Sequence, residues 1–132
     1  MLMRDKIVIV SGIGPGLGQE LALLAAQEGA AGLAIGARTP NKLDLAEQAI
    51  RDLGIDVPIL KVKTDIKDKN QCENLVRKVI SEFERIDVLF NSAYDPGEFE
   101  LAEDANLENW RRVMDTNFYG CLLYTSDAAD DP

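Results

Sequence analysis

Ser11-Gly12-Ile13-Gly14-Pro15-Gly16-Leu17-Gly18 decides the fold of this 132-residue chain. It follows the apolar run Ile7-Val8-Ile9-Val10 and opens a helical pattern carried by Leu21, Leu24 and Ala25. Strand, glycine turn and helix in that order form a phosphate-binding arrangement. The glycines let the backbone turn tightly and approach a diphosphate, while the free N–H groups and dipole of the helix start attract its charge. The spacing is Gly12-x-x-x-Gly16-x-Gly18 behind a hydroxyl residue. It is neither the G-x-G-x-x-G fingerprint nor a P-loop, since no Gly-Lys-Ser/Thr follows. A turn that merely joins strand to helix is the plainer alternative. Four glycines so close together cost strand and helix stability, which argues for a ligand instead.

Outward from this turn, strands and helices alternate. A strand over 6–11 leads to a helix over 15–29, which Pro15 can start without losing a needed donor and Gly29 ends. Leu33 to Ala37 is a second buried strand. A helix over 40–53 carries Leu43, Ala46, Ile50 and Leu53 on one face, with Gly54 as its cap. Val57 to Val62 is strand three. A helix over 68–84 buries Leu75, Val76, Val79, Ile80 and Phe83, and Ile86 to Phe90 is strand four. A polar, acidic loop, read as solvated surface, runs to about residue 105. A last helix begins near Leu107 with Trp110, Val113 and Met114 inward.

This alternation predicts an α/β fold, a Rossmann-type doubly wound parallel sheet with helices on both faces. Right-handed crossovers give strand order 3-2-1-4, and the sheet is truncated after strand four. Residues 1–120 are expected to form a partial nucleotide-binding domain, with 121–132 as a separate tail.

Composition bounds the partners. A net charge of −9 with no basic cluster argues against nucleic acid and against an anionic membrane. No histidine is present, which excludes histidine triads and histidine metal sites. Cys72 and Cys121 form neither a disulfide framework nor a metal knuckle, so a reducing cytoplasm is expected. The N-terminus lacks the apolar core of a signal peptide, and no apolar run reaches membrane-spanning length.

Across roughly residues 5–120 the chain resembles the N-terminal half of a short-chain dehydrogenase/reductase. Ser11 to Gly18 stands for that family's Thr-Gly-x-x-x-Gly-Ile-Gly, and Asp65-Ile66 follows strand three. Asn91-Ser92-Ala93-Tyr94 stands for Asn-Asn-Ala-Gly, and Asn117 lies in Asp115-Thr116-Asn117-Phe118-Tyr119-Gly120. The resemblance implies a nicotinamide cofactor held by Ser11, Gly12, Gly14, Pro15, Gly16, Leu17 and Gly18. It implies that Asp65 and Ile66 hold the adenine ring, and that Asn91 and Ala93 line the cleft beside the ribose. Asn117 would hold a water of the proton relay, the one catalytic role within the chain. Ser92 and Tyr94 depart from the family pattern. A tyrosine lacks the backbone freedom of glycine, so a narrower nicotinamide pocket is expected.

Arg38 sets the cofactor preference. A NAD-binding chain ends its second strand with an acid that hydrogen-bonds the ribose 2′-hydroxyl, whereas here Ala37 is followed by Arg38. A guanidinium can grip a 2′-phosphate with two charge-assisted bonds. NADP is therefore expected, with NAD disfavoured, and a solvated arginine at a helix start is the plainer alternative.

The family implies a serine that polarises the carbonyl, a tyrosine that passes the proton, and a lysine four residues on that lowers the tyrosine's pKa. Tyr124 and Ser126 are the only candidates after Asn117, and no lysine follows them. Both are rejected. Residues 121–131 instead resemble the in-frame translation of a sequencing adapter, set aside before fold reasoning. The expectation is a fragment of an oxidoreductase acting on an alcohol or carbonyl substrate, from a homo-oligomeric parent. With strand four as an open edge, the fragment alone is expected to be inactive and poorly soluble. Two other classes are an NADP-sensing module without catalysis, and a methyltransferase, which would want an acid where Ala37-Arg38 stands.

Overall fold

A computed structural model describes residues 1–124. The order is β1 (Ile7–Ser11), α1 (Leu17–Gln27), β2 (Gly32–Ala37), α2 (Pro40–Asp52), β3 (Ile59–Lys63), α3 (Lys69–Phe83), β4 (Val88–Asn91) and α4 (Leu107–Met114). The last helix runs on through a wider π turn, Asp115–Gly120, into Cys121–Leu123. All strand pairs are parallel, in the order β3-β2-β1-β4, as the alternation predicts. Ser11, at the end of β1, stands level with Gly36 of β2 and Asn91 of β4.

Strand alternation splits the core into two layers. Val8, Val10, Leu33 and Ile35 face α1 and α2, packing on Ala22, Ala25, Leu43, Ala46 and Ile50. Ile7, Ile9, Ala34 and Val62 face α3, packing on Cys72, Leu75, Val76 and Val79. Helices thus cover both faces, and the doubly wound reading holds.

Local chemistry places the helix ends. α1 starts at Leu17, two residues later than Pro15, because Gly16 takes the cap position. It stops at Gly29, whose φ of +87° suits glycine, while Gly29 N–H donates to Ala26 and Ala30 N–H to Ala25. Asp68 caps α3, its carboxylate accepting from Asn70 N and Gln71 N.

Several side chains expected inside are outside. Leu24, Leu53 and Ile80 are exposed, each at the rim of its helix's apolar face. Trp110 is 51% exposed and Met114 46%. The buried face of α4 is formed instead by Asn109, with half-buried Val113 and Asn117 one and two turns on. Leu107, Trp110, Met114 and Phe118 make an apolar stripe that faces away from the sheet. Of the tail expected over 121–132, Tyr124 is 1% exposed within the α3-side core. Residues 125–132, Ser126 among them, lie outside the described residues.

Candidate cofactor-binding cleft

The carboxyl ends of β1, β2, β3 and β4 open into a cleft of about 390 Å³. This is where a doubly wound sheet binds ligands, at the point where strand order reverses. Gly12, Gly14, Gly16, Leu17, Gly18, Arg38, Asp65, Ile66 and Ala93 all line it, so four separated sequence segments meet there.

The glycines fall into two pairs. Gly12 has φ +104°, and a Cβ on it would run into the backbone of Ala93 and Ser92. Its amide and that of Ile13 both donate to Gly36 O, at 2.9 and 3.1 Å. A Cβ on Gly18 would meet the carbonyl of Gly12. These two are glycine for the chain's own packing. Around Gly14 and Gly16 no atom lies within 4 Å of the Cβ position, so a side chain there would project into open space at the cleft. Gly16 gives α1 no side-chain cap, and the amides of Leu17 and Gly18 donate to nothing among the described residues. An uncapped helix start under a cradle without side chains fits a diphosphate.

Arg38 lies at the other end, exposed, after the buried end of β2. Its guanidinium makes no hydrogen bond or ion pair among the described residues. Thr39, the cap residue of α2, and Lys42 join it on the cleft wall. Asp65 borders the cleft with Ile66 and accepts from Lys67 N at 3.0 Å, while its amide donates to Gln71 Oε1 at 2.8 Å. The cap of α3 belongs to Asp68, which leaves Asp65 free of that role.

Four expected residues stand back from the cleft wall. Ser11 is buried on the α3 side of the sheet, and its carbonyl accepts from Ser92 N at 2.7 Å. Strand parity puts it there, two residues beyond Ile9. Pro15 is exposed but absent from the cleft lining, and Asn91 is exposed at the end of β4. Asn117 turns its side chain to Asp95, donating from Nδ2 to Asp95 O and accepting from Asp95 N, both at 2.8 Å. Asp95 in turn accepts from Gly97 N and from Arg112 Nε, both at 2.9 Å. The Gly97 amide and the Arg112 guanidinium hold its carboxyl below the usual carboxylate range, and the Arg38 charge adds to this.

Sequence reasoning missed Ile13, Thr39, Lys42 and Thr116 as lining residues. Lys42 carried a signal, since it lies four residues after Arg38 at the start of α2. Tyr124 is absent from the cleft wall. Its hydroxyl is buried without a hydrogen-bond partner among the described residues, and burial pushes its pKa up, as a proton donor would not want.

A family model described as short chain dehydrogenase matches residues 6–131. The 11-beta-hydroxysteroid dehydrogenase 1A of Arabidopsis thaliana is 35% identical over 130 residues, covering 96% of this chain and 36% of that protein. An uncharacterized oxidoreductase of Thermotoga maritima is 30% identical, covering 98% of this chain and 49% of that one. Among solved structures, levodione reductase aligns with a TM-score of 0.91 at 28% identity, covering 96% of this chain and 49% of its own. NAD+-bound xylitol dehydrogenase aligns at 0.89 with 26% identity, covering 98% and 48%. The chain thus spans half or less of the relatives it resembles. By the match along nearly its whole length, together with the sheet order and the glycine cleft, this chain belongs to the short-chain dehydrogenase family.

Proposed function

We propose that this chain is the cofactor-binding half of an NADP(H)-dependent oxidoreductase acting on a small alcohol or carbonyl substrate. Nicotinamide, when bound, supplies or accepts the hydride. The chain's own residues bind and orient it. The amides of Leu17 and Gly18 and the bare Gly14 and Gly16 receive the diphosphate, and Asp65 with Ile66 borders the adenine. The observation that carries the NADP preference is Arg38, a guanidinium without hydrogen bond or ion pair among the described residues, on the cleft wall next to Ala37, which holds the place of a NAD-binding chain's acid. Two charge-assisted bonds to a 2′-phosphate contribute about 1.5–3 kcal/mol each, and one of them alone is worth at least about tenfold in affinity. Titration with NADPH and NADH, followed by nicotinamide fluorescence, tests this. Tighter NADPH binding is expected, and equal affinities overturn the preference.

Proton transfer is assigned to sequence beyond this chain, because the cleft's tyrosine and lysine, Tyr94 and Lys42, are not a Tyr-x-x-x-Lys pair and Tyr124 is buried. The chain alone is therefore expected to turn over no substrate, and β4, one of the two sheet edges among the described residues, to make it poorly soluble. The exposed stripe of Leu107, Trp110, Met114 and Phe118 supports a homo-oligomeric parent. No described helix is long and apolar enough to cross a membrane, and a cytoplasmic location is proposed. A non-catalytic NADP-sensing module is the second reading, supported by a cleft that holds binding groups only. A Tyr-x-x-x-Lys motif in the longer reading frame separates the two.

A further inference from the structure

The wall of the cleft formed by Ser92, Ala93, Tyr94 and Thr116 carries one large side chain. Tyr94 is 70% exposed, yet the backbone on either side of it is tightly held. Before it, Ser92 N is bonded to Ser11 O, and Ala93 presses so closely on Gly12 that no Cβ fits between them. After it, both backbone groups of Asp95 are paired with the side chain of Asn117. A bare aromatic ring on a fixed backbone at a cleft wall offers a stacking surface, because only its two side-chain torsions are left to order when a flat ligand settles on it.

We propose that the Tyr94 ring closes over the adenosine half of the bound dinucleotide, doing for affinity what the residue type expected at this position could not. Placement favours that half over the nicotinamide. Thr116, the neighbouring wall residue, lies one helical turn before Gly120, which packs against Ile66. Asp95, adjacent in the chain, is bonded through its backbone to Asn117, the residue after Thr116. Both links place Tyr94 on the wall that leads to the Asp65–Ile66 end of the cleft. The proposal rests on the cofactor reading above.

The test uses the longest reading frame that carries these residues and compares wild type, Tyr94→Phe and Tyr94→Ala by calorimetry. The probes are NADPH and adenosine 2′,5′-bisphosphate, which lacks the nicotinamide half. Tyr94→Ala is expected to weaken both by about tenfold, the scale of one stacking contact, and Tyr94→Phe to keep both near wild type. Unchanged binding of both probes to Tyr94→Ala overturns the proposal. Loss confined to NADPH also overturns it, because the ring would then act on the nicotinamide. Wild type that binds neither probe defeats the cofactor reading itself, and the proposal falls with it.

Discussion

The side-chain amide of Asn117 pairs with the backbone of Asp95 as one strand pairs with another. Oδ1 accepts the Asp95 N–H and Nδ2 donates to its carbonyl, each at 2.8 Å across 22 residues of chain. This ties α4 to the segment that leaves β4, and so fixes one wall of the cleft. Arg112, one turn earlier on α4, adds a bond from its Nε to the Asp95 carboxylate and another from Nη2 to Asn109 Oδ1. The polar face of α4 is therefore its packed face.

Replacing Asn117 with alanine removes both bonds and leaves the Asp95 amide and carbonyl without protein partners. The expected loss is about 1–3 kcal/mol, the cost of one or two modest hydrogen bonds in a half-buried site. Thermal denaturation reads the stability. Hydrogen exchange at the Asp95 amide reads the cause, and an amide as protected in the variant as in wild type would contradict it.

Alanine at Gly12 or Gly18 and alanine at Gly14 or Gly16 should fail in different ways. The first pair meets backbone atoms that cannot move aside, and Gly12 also sits at a positive φ. Each of those substitutions is expected to cost several kcal/mol of stability, at the upper end for single changes, about 4 kcal/mol. The second pair meets nothing within 4 Å, so the fold should melt as before while NADPH affinity falls. Melting curves beside binding isotherms check this, and a Gly14→Ala variant that binds normally would contradict the cradle.

Much of this was legible beforehand. Helix and strand periods gave the alternation, and right-handed crossovers then left one strand order. The glycine turn announced the cleft before any coordinate. What stayed hidden depended on contacts that sequence spacing does not encode. The apolar period of Leu107, Trp110 and Met114 marks a face of α4 without saying what it meets, and that face turned outward. Ser11 belongs to the glycine motif in sequence, but strand parity turns its side chain into the α3-side core. Asp65 also stands shortly before α3, where an acid can cap a helix, and the geometry gives that place to Asp68 instead.

Acid should loosen the sheet from its amino end. Asp87 accepts from Ile7 N at 2.7 Å and from Arg85 Nε at 2.9 Å, and these bonds, the Ile7 amide first, lower its pKa. Asp95 is lowered likewise by the Gly97 amide and Arg112. A depressed folded-state pKa means that the unfolded chain binds more protons in acid. The stabilisation is complete above the unfolded value, about pH 4, and drains away as pH falls through the folded one. Denaturant midpoints measured from pH 7 to pH 2 should fall steeply at the acid end. Asp87→Asn should flatten that fall while lowering the midpoint at pH 7, and an unchanged acid slope would contradict the assignment.

Tyr124 offers a test in which removing a polar atom should not hurt. Its ring fills the α3-side core among Ile7, Ile9, Cys72 and Leu75, but its hydroxyl meets no hydrogen-bond partner among the described residues. An unsatisfied buried hydroxyl costs about 1–3 kcal/mol against a solvated one. Tyr124→Phe keeps the packing and deletes that cost, so its stability should exceed wild type by about 1–3 kcal/mol. Tyr124→Ala should lose about 3–5 kcal/mol through the cavity it leaves. Chemical denaturation of the two variants reads both effects. A phenylalanine variant less stable than wild type would show that the hydroxyl has found a partner, and a harmless alanine variant would show that the ring is not packed in the core at all.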